Sequence, residues 1–304
     1  MVQAEGLICG NWGGTSLRAY CIDKTGELRS EVRLGQGINK LDLSQQKRHW
    51  FELVDGWPDY PHLICGSAGS NLGWLHTGYV GLPATVKTIA DAIKWQALNG
   101  HRVGIIPGIK AVNPLDEPDT MRSEETELIG LIASLSANQD RIVCLPGTHN
   151  KWAQISGQAI TQFFTSLTGE AFDALTQGTV VTRGSERAQI GPAFEDGVIL
   201  GQLPKGTFLQ KLYSVRARQI DGTLAAEDSA SFLSGLVIGT DILGAKQNLG
   251  DTLLNGVTII GGQTLSTRFS KAFAIAGIKY DLMDSDQACI AGFVEIATVA
   301  GLIR

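Results

Sequence analysis

The sequence of 304 residues contains no uninterrupted apolar run of about 18 residues, the length that a membrane-spanning helix requires. Its first ten residues lack the basic stretch and apolar core of a secretory signal, so no signal peptide is expected. There is no run of lysine or arginine and the formal net charge is −5, so charge favours neither nucleic acid nor an anionic membrane as a partner. The 43% of apolar residues is ample for a buried core in about two domains.

Cysteine is scarce, and no two cysteines have the spacing of metal ligands. The five thiols each lie among apolar neighbours, at Cys9, Cys21, Cys65, Cys144 and Cys289. Small thiols in an apolar core are typical of proteins in a reducing compartment. We therefore expect unpaired cysteines and a cytoplasmic location.

Three common motifs are also missing. No Gly-x-Gly-x-x-Gly follows the first predicted strand, which disfavours a Rossmann dehydrogenase. No Gly-x-x-x-x-Gly-Lys-Ser/Thr is present, which excludes a P-loop kinase. No Gly-x-Ser-x-Gly nucleophile elbow is present either. A nucleotide-binding enzyme of this sequence must use another kind of phosphate loop.

Two strand–turn–strand units provide such loops. In the first, residues 11–16 (Asn-Trp-Gly-Gly-Thr-Ser) separate the strands predicted over 7–11 and 17–23; in the second, residues 142–155 carry Pro-Gly-Thr-His-Asn-Lys at their turn. Glycine and threonine turns offer backbone N–H groups and a hydroxyl to a phosphate. An ordinary hairpin turn remains the alternative for either unit alone. Two such turns facing each other across a cleft predict a two-lobed phosphotransferase, and the repeated pattern indicates a weak internal duplication.

Two further segments carry candidate chemistry. Residues 260–264 (Ile-Gly-Gly-Gln-Thr) predict a buried strand that runs into a helix, where glycines let a ribose or phosphate approach the backbone. Residues 122–127 (Arg-Ser-Glu-Glu-Thr-Glu) predict a helix start with acidic residues in its first turn. A glutamate there is a candidate general base, although a capped helix start is the alternative. Residues 110–120, rich in proline and acidic residues, are the best candidate for a linker.

Taken in order, these segments resemble the bacterial 2-dehydro-3-deoxygalactonokinase family. The match is collinear over nearly the whole chain, and the most specific blocks are Arg-x-Glu-Glu-Thr at residues 122–126 and Pro-Gly-Thr-His-x-Lys-Trp at residues 146–152. Matching segments are residues 11–19, 69–74, 121–130, 146–152, 167–170, 232–239 and 261–265. The resemblance implies an α/β, actin-like (ribonuclease H-like) ATPase fold, with two lobes that are each a mixed sheet with flanking helices and a cleft between them. It also implies MgATP-dependent phosphorylation of the 6-hydroxyl of 2-dehydro-3-deoxy-D-galactonate in galactonate catabolism.

The resemblance also assigns residues to roles, with ATP and Mg²⁺ as cofactors. The implied nucleotide loops are Gly13, Gly14 and Thr15; Gly147, Thr148 and Lys151; and Gly261, Gly262 and Thr264. The candidate sugar-acid contacts are Arg18, Ser70, Asn71, Trp74 and Arg122. Glu124 is the candidate base, and Glu125 is the second candidate. The implied lobes are residues 1–120 with 286–304, which hold the first phosphate loop, and residues 121–285, which hold the other two.

The sequence departs from the family pattern at two positions. The family begins its first block with Asp-Trp-Gly, whereas this chain has Asn11, and the family glycine at position 123 is here Ser123. In actin-like ATPases the aspartate holds Mg²⁺ through water, and an asparagine attracts a hard cation less strongly. Three interpretations stay open: a weaker but active kinase, metal binding shifted to Glu124 or Glu125, or a sugar-acid sensor without catalysis. A kinase for another sugar acid and a homo-oligomer also stay open.

Overall fold

The computed structural model describes residues 4–183, 185 and 187–303. The strands are β1 (Gly6–Trp12), β2 (Leu17–Asp23), β3 (Leu28–Leu34), β4 (His62–Gly66), β5 (Tyr79–Gly81), β6 (Lys94–Leu98), β7 (His101–Ile105), β8 (Gly108–Val112), β9 (Pro118–Met121), β10 (Arg141–Leu145), β11 (Asn150–Ser156), β12 (Ala159–Ser166), β13 (Val257–Gly261) and β14 (Tyr280–Asp284). The helices are α1 (Leu43–Leu53), α2 (Val86–Asp91), α3 (Glu124–Ser134), α4 (Thr168–Gly178), α5 (Pro192–Gln202), α6 (Phe208–Asp221), α7 (Ser229–Leu249), α8 (Gln263–Ala276) and α9 (Ser285–Val299). None of these helices is long and apolar enough to cross a bilayer.

The chain forms two compact units. Unit 1 combines the chain up to Asp140 with Gln154–Phe163 and the chain from Ser285 onward, and unit 2 combines Arg141–Ala153 with Phe164–Asp284. These units differ from the lobes predicted from the sequence, because residues 121–140 and 154–163 group with unit 1. Helix α3 lies there because it packs along α9, which belongs to the same unit.

Unit 1 is built on a six-stranded sheet in the order β3-β2-β1-β4-β7-β6. Strand β1 pairs antiparallel with β2 and parallel with β4, and β4 pairs parallel with β7, so the sheet is mixed. Its core is rich in large aromatic side chains, with Trp12 and Trp50 wholly buried between the sheet and α1. A small second sheet in the order β5-β8-β9 lies in the same unit.

A second large sheet repeats the plan with five strands in the order β12-β11-β10-β13-β14, of which β10, β13 and β14 belong wholly to unit 2. As in unit 1, three strands that are consecutive in sequence are followed by strands in parallel pairing, here β13 beside β10 and β14 beside β13. Helices α7 and α8 cover the sheet, and Trp152, Phe269 and Phe273 fill the core. The strand order confirms the internal duplication that the two strand–turn–strand units predict.

The linker predicted over residues 110–120 is wrong, because this segment is an antiparallel hairpin of β8 and β9. Its polar turn closes on the Asn113 side chain, which accepts hydrogen bonds from the backbone N–H groups of Leu115 and Glu117. Its two ends are anchored by Ile109 and Met121, which face each other in the hairpin and are buried. Pro118 is tolerated because it begins an edge strand.

Helices α3 and α9 cross with their backbones in contact. A side chain on Gly130 would lie 1.9 Å from the Ala288 carbonyl oxygen, and one on Gly292 would lie 1.9 Å from the Thr126 carbonyl oxygen. Glycine is therefore required at both positions by close approach, whatever its helix propensity. The first turn of each helix therefore lies against the middle of the other helix.

We expect Gly130→Ala to lower the free energy of unfolding by about 1–3 kcal/mol, because the new methyl group must push α9 away from α3. The matched control is Gly244→Ala on α7, where the added methyl group meets nothing within 4 Å. That change should raise stability by about 0.5–1 kcal/mol through helix propensity. Urea unfolding followed by circular dichroism measures both, and equal midpoints for the two variants would contradict the close contact.

Candidate active site

The first glycine loop joins β1 to β2 in unit 1. The N–H of Gly13 donates to the Ser16 carbonyl at 2.9 Å, which closes the turn. The chain at Gly37 supports the loop from behind, since a side chain there would lie 2.2 Å from the Gly14 carbonyl, and the N–H of Asn39 donates to that carbonyl. Thr15 is exposed at the tip of this supported loop.

Asn11, at the end of β1, contacts the turn that precedes α3. The hydroxyl of Ser123 donates to Asn11 Oδ1, and Asn11 Nδ2 donates to the thiol of Cys289 at 3.6 Å. Ser123 has φ +101°, a conformation that favours glycine and is strained for serine. This backbone directs the Ser123 side chain away from the helix, where it makes no cap, and toward Asn11.

The strained turn also orients two glutamates. Glu124 Oε2 accepts from the N–H of Arg122 at 3.0 Å, and Glu125 Oε2 accepts from the N–H of Ser123 at 2.7 Å. Glu124 is half-buried, whereas Glu125 is fully buried. Burial, with the nearby Glu124 carboxylate, raises the pKa of Glu125 to about 8. Of the two candidate bases, Glu124 is the one that is partly exposed.

A third acidic residue, Glu127, lies one turn further along α3 and joins α3 to α9. Ser285, at the start of α9, donates its hydroxyl to Glu127 Oε1 at 2.7 Å. Burial raises the pKa of Glu127 to about 8, and the Ser285 bond only partly offsets this. The sequence pattern did not single out Glu127, because its partner is 158 positions away along the chain.

Arg18 on β2 faces the same helix start. Its Nη1 lies 2.9 Å from Asp286 Oδ1 and 3.2 Å from Ser285 Oγ, and the hydroxyl of Tyr20 donates to the same Asp286 oxygen at 2.6 Å. Burial alone raises the pKa of Asp286, but the Tyr20 bond and the guanidinium groups of Arg18 and Arg33 outweigh it and hold that pKa below its usual value. Arg18, predicted as a sugar-acid contact, is thus paired with a carboxylate.

Arg122 and the loop after β4 lie together. Arg122 Nη1 donates to Thr77 Oγ1 at 2.8 Å and Nη2 donates to the Gly78 carbonyl at 2.9 Å, while its guanidinium lies 4.5 Å from the centre of the Tyr79 ring. Its buried Nε has no hydrogen-bond partner among the described residues. Gly69 lies against this guanidinium, which brings the Ser70 loop to Arg122.

The other predicted contacts near this loop differ in exposure. Asn71 is exposed and Ser70 is half-buried. Trp74 is buried at 3% exposure, and its Nε1 donates to Gln96 Oε1 at 2.9 Å. The Trp74 side chain is therefore part of the core and presents no surface to a small molecule in this structure.

In unit 2 the second and third glycine loops lie side by side. A side chain on Gly261 would lie 3.4 Å from the Pro146 ring, so the end of β13 contacts the loop between β10 and β11. Gly262 and Thr264 at the start of α8 are exposed, as is Thr148 at the tip of the second loop. Residues that are 115 positions apart along the chain, Gly147 and Gly262, thus belong to one surface of unit 2.

The two charged residues that follow Thr148 are held differently. His149 is exposed, and its Nε2 lies 2.6 Å from Glu170 Oε2. Lys151 is buried at 4% exposure, and its Nζ donates to Thr165 Oγ1 at 2.9 Å. Lys151 therefore lies in the hairpin interior and not at the surface of the loop.

The structure thus assembles the predicted residues into two groups. Unit 1 holds the first loop with Asn11, Arg18, Glu124, Glu125 and Arg122; unit 2 holds the second and third loops. In the described part of the chain, no group of three or more His, Cys, Asp or Glu side chains has the arrangement of a metal site. Sequence reasoning missed Glu127, Asp286 and Asp241; the signal for Asp241 was a single acidic residue within an apolar helix.

Comparison with known proteins gives a consistent result. The family model described as 2-keto-3-deoxy-galactonokinase matches residues 11–296. The probable 2-dehydro-3-deoxygalactonokinase of Rhizobium meliloti (strain 1021) is 32% identical over 293 residues, with 93% of each chain covered. The 2-dehydro-3-deoxygalactonokinase of Escherichia coli (strain K12) is 31% identical over 291 residues, with 94% of this chain and 96% of the relative covered.

Solved structures support the fold class. The crystal structure of a Sinorhizobium meliloti protein assigned as a 2-dehydro-3-deoxygalactonokinase is 31% identical, covers 96% of this chain and 98% of its own, and has a TM-score of 0.84. The activator of 2-hydroxyisocaproyl-CoA dehydratase from Clostridium difficile has a TM-score of 0.53 at 8% identity and covers 97% of this chain and 95% of its own, so it is similar in fold alone. The predicted α/β, actin-like ATPase fold with a mixed sheet in each half is confirmed.

The raised pKa of Glu127 predicts a pH dependence of stability. Between the ordinary carboxyl pKa of 4.5 and the folded value of about 8, the folded chain binds more protons than the unfolded chain, so the free energy of unfolding falls as pH rises. Glu127→Gln should remove the part of this loss that Glu127 causes, while the part due to Glu125 remains, and should gain about 2–4 kcal/mol relative to wild type between pH 5.5 and 8. Urea unfolding at the two pH values tests this. The free energy of unfolding of Glu117→Gln, a change at an exposed residue, should depend on pH as that of wild type does. The same pH dependence in Glu127→Gln would disprove the raised pKa of Glu127.

Proposed function

Because the chain belongs to the 2-keto-3-deoxy-galactonokinase family, we propose that it transfers the γ-phosphoryl group of ATP to the 6-hydroxyl of 2-dehydro-3-deoxy-D-galactonate, in the cytoplasm, as a step of galactonate catabolism. The observation that carries the proposal is the match of residues 11–296 to this family. The unpaired cysteines of the described chain agree with a reducing compartment.

Each unit carries glycine loops that suit a nucleotide. In unit 2, the adjoining loops at Gly147–Thr148 and Gly261–Thr264 present glycines and hydroxyls on one surface, which suits a phosphate and a nucleoside. In unit 1, the loop at Gly13–Thr15 is supported from behind and exposed at its tip. Loops held in place before the ligand arrives reduce the ordering cost of binding.

The sugar acid would bind in unit 1 with its carboxylate toward Arg122. The support for this is the unpartnered Nε of that guanidinium, a buried donor that a carboxylate can satisfy. Ser70 and Asn71 lie on the loop that packs on Arg122 and would contact the hydroxyls of the sugar acid. Arg18 is held by Asp286 and would act on the substrate mainly through the field of its charge.

Glu124 is the proposed general base. Its carboxylate is oriented by one backbone hydrogen bond, from Arg122, and the residue is partly exposed, whereas Glu125 is fully buried. The Glu124 carboxylate would take the proton of the 6-hydroxyl while that oxygen bonds to the γ-phosphorus and the bond from phosphorus to the bridging oxygen breaks, leaving ADP. Buried Glu125 would position the turn through the N–H of Ser123.

The donor set fits a magnesium ion that is carried by the nucleotide. Asn11 Oδ1, at the end of β1, is bonded by the Ser123 hydroxyl, and the next residue along, Glu124, offers a carboxylate. Oxygen donors of this kind together with water are what Mg²⁺ takes in kinases. Bound there, Mg²⁺ would neutralise charge on the phosphates. Since no acidic cluster in the described residues forms a metal site by itself, the phosphates must supply most of the attraction.

Glu124→Gln should lower kcat by about 10²–10⁴-fold, because an amide cannot accept the hydroxyl proton, while the affinity for ATP changes little. The assay couples ADP release to a measured oxidation of NADH. Glu117→Gln, an exposed glutamate in the β8–β9 turn, is the matched control and should keep wild-type turnover. Full turnover by Glu124→Gln would remove Glu124 as the base, and Glu125→Gln would then be tested in the same way.

The identity of residue 11 separates the kinase from a sensor on the same fold. We expect wild type to release ADP with MgATP and 2-dehydro-3-deoxy-D-galactonate, and Asn11→Asp to need about tenfold less Mg²⁺ for half-maximal rate, because it restores a charge beside the metal. A panel of 2-keto-3-deoxy acids and neutral hexoses defines the substrate. Sugar-acid binding by calorimetry without ADP release in wild type would instead indicate the sensor.

A further inference from the structure

Asp241 is a buried carboxylate at the centre of unit 2. It lies on α7 at 8% exposure, between the apolar side chains of Ile238 and Ile242 that join the core. Its partners are neutral donors: Oδ2 accepts from Asn150 Nδ2 and Thr168 Oγ1, each at 2.7 Å, and Oδ1 accepts from Trp152 Nε1 at 2.9 Å. Burial raises the pKa of Asp241, and these bonds with that of Ser166 oppose the rise.

A carboxylate in this position is costly, because an apolar residue of similar size would fill the space without desolvation of a charge. Its partners show what the charge holds in place. Asn150 is the first residue of β11 and follows directly on the Gly147–Thr148 loop, and Thr168 is the first residue of α4. The Oδ2 atom therefore joins the exit of the loop to the start of the helix behind it.

Helix α4 begins directly against that loop. The N–H of Glu170 donates to the Thr148 carbonyl at 2.9 Å. Gly169 lies so near the loop that a side chain there would be 2.6 Å from the Gly147 carbonyl oxygen. A displacement of the first turn of α4 thus displaces Gly147 and Thr148, the residues to which the proposed function assigns a phosphate.

We propose that Asp241 is the positioning residue of the Gly147–Thr148 loop: its Oδ2 atom holds both the loop exit and the start of α4, and so determines the affinity for the nucleotide. Its Oδ1 atom accepts a hydrogen bond from Trp152 and so contributes to the packing of the core. The inference rests on the proposed function in that this loop must bind ATP. It goes beyond that function because Asp241 touches neither the loop's surface nor any residue assigned to a ligand.

The geometry specifies a rescue experiment. In Asp241→Asn the amide oxygen can keep the Trp152 bond, but the amide nitrogen then faces the Asn150 amide, and two donors oppose each other. The double variant Asn150→Asp with Asp241→Asn exchanges the two groups and restores a donor–acceptor pair. The Cys144 thiol, which donates to Asn150 Oδ1 at 3.4 Å, keeps an acceptor in this variant.

We expect Asp241→Asn to raise the Kd for a non-hydrolysable ATP analogue about tenfold, as the loss of one or two buried hydrogen bonds implies. The exchanged double variant should return to within about threefold of wild type. Calorimetry measures the Kd without any need for turnover, and thermal unfolding reports stability in parallel. The Kd for 2-dehydro-3-deoxy-D-galactonate should not change in either variant.

Trp152→Phe is the matched control, because it removes the Oδ1 bond and leaves the Oδ2 bonds in place. It should lower the unfolding temperature but change the nucleotide Kd by less than about twofold. If Asp241→Asn does not fold, Thr168→Val tests the same link by removing only the α4 bond, with an expected rise in Kd of about threefold to tenfold.

Several results would overturn the inference. The first is an unchanged nucleotide Kd in Asp241→Asn or in Thr168→Val. The second is a double variant that folds but still binds the nucleotide as weakly as Asp241→Asn. The third is a rise in Kd for Trp152→Phe as large as that for Asp241→Asn. These results are distinct from failure of the proposed function. Nucleotide binding with no phosphorylation of any sugar acid would refute the kinase assignment and leave the positioning role intact, whereas wild type that binds no nucleotide would refute both.

Discussion

The contact between α3 and α9 determines the arrangement of unit 1. Because Gly130 and Gly292 carry no side chains, the two backbones touch. Near the end of β1, Asn11 contacts both Ser123, just before α3, and Cys289 of α9. Ser285 then reaches Glu127, and Asp286 reaches Arg18 and Tyr20. A wider spacing of the helices would leave Glu127 without its hydroxyl donor. The charges of the site are thus a consequence of helix packing.

Unit 2 also contains two helices that come into close contact at glycine residues. Helices α5 and α7 also touch through glycines, since a side chain on Gly235 would lie 2.0 Å from the Phe194 carbonyl oxygen. This close crossing fixes α7 beside the sheet and places Asp241, two turns further along, under the start of β11. In both units, a glycine contact between helices accompanies a buried carboxylate. In unit 1 this is Glu127, which accepts from Ser285, and in unit 2 it is Asp241, which accepts from Asn150 and Thr168.

The sequence was sufficient for elements that carry a local signal. Alternating apolar residues and turn signals predicted β1, β2 and β3, and helical spacing after an acidic turn predicted α3. The predicted helix over residues 285–302 is α9, and it packs within unit 1 as expected. Helix α7 is longer than predicted, because Lys246 and Gln247 continue it beyond the apolar run to Gly250.

What could not be predicted depends on distant residues. The 110–120 segment has the composition of a linker, but Ile109 and Met121 pair across it, and composition carries no information about that pairing. Trp74 and Lys151 have chemistry suited to a ligand, yet both are buried by partners that their local sequence does not reveal. The strain at Ser123 was foreseen only as a departure from glycine, because a backbone angle cannot be read from residue identity alone.

The neutral side chain of Asn11 suits surroundings that already contain several carboxyl groups. The first turn of α3 places Glu124, Glu125 and Glu127 near one another, and burial already raises the pKa of two of them to about 8. Under the proposed function, an aspartate at position 11 would add a negative charge to a site that receives the triphosphate of ATP, and like charges at short range repel each other. Asparagine avoids that repulsion and keeps an oxygen that Ser123 orients. The cost is weaker attraction for a free cation, so under the proposed function the Mg²⁺ ion would arrive together with the nucleotide.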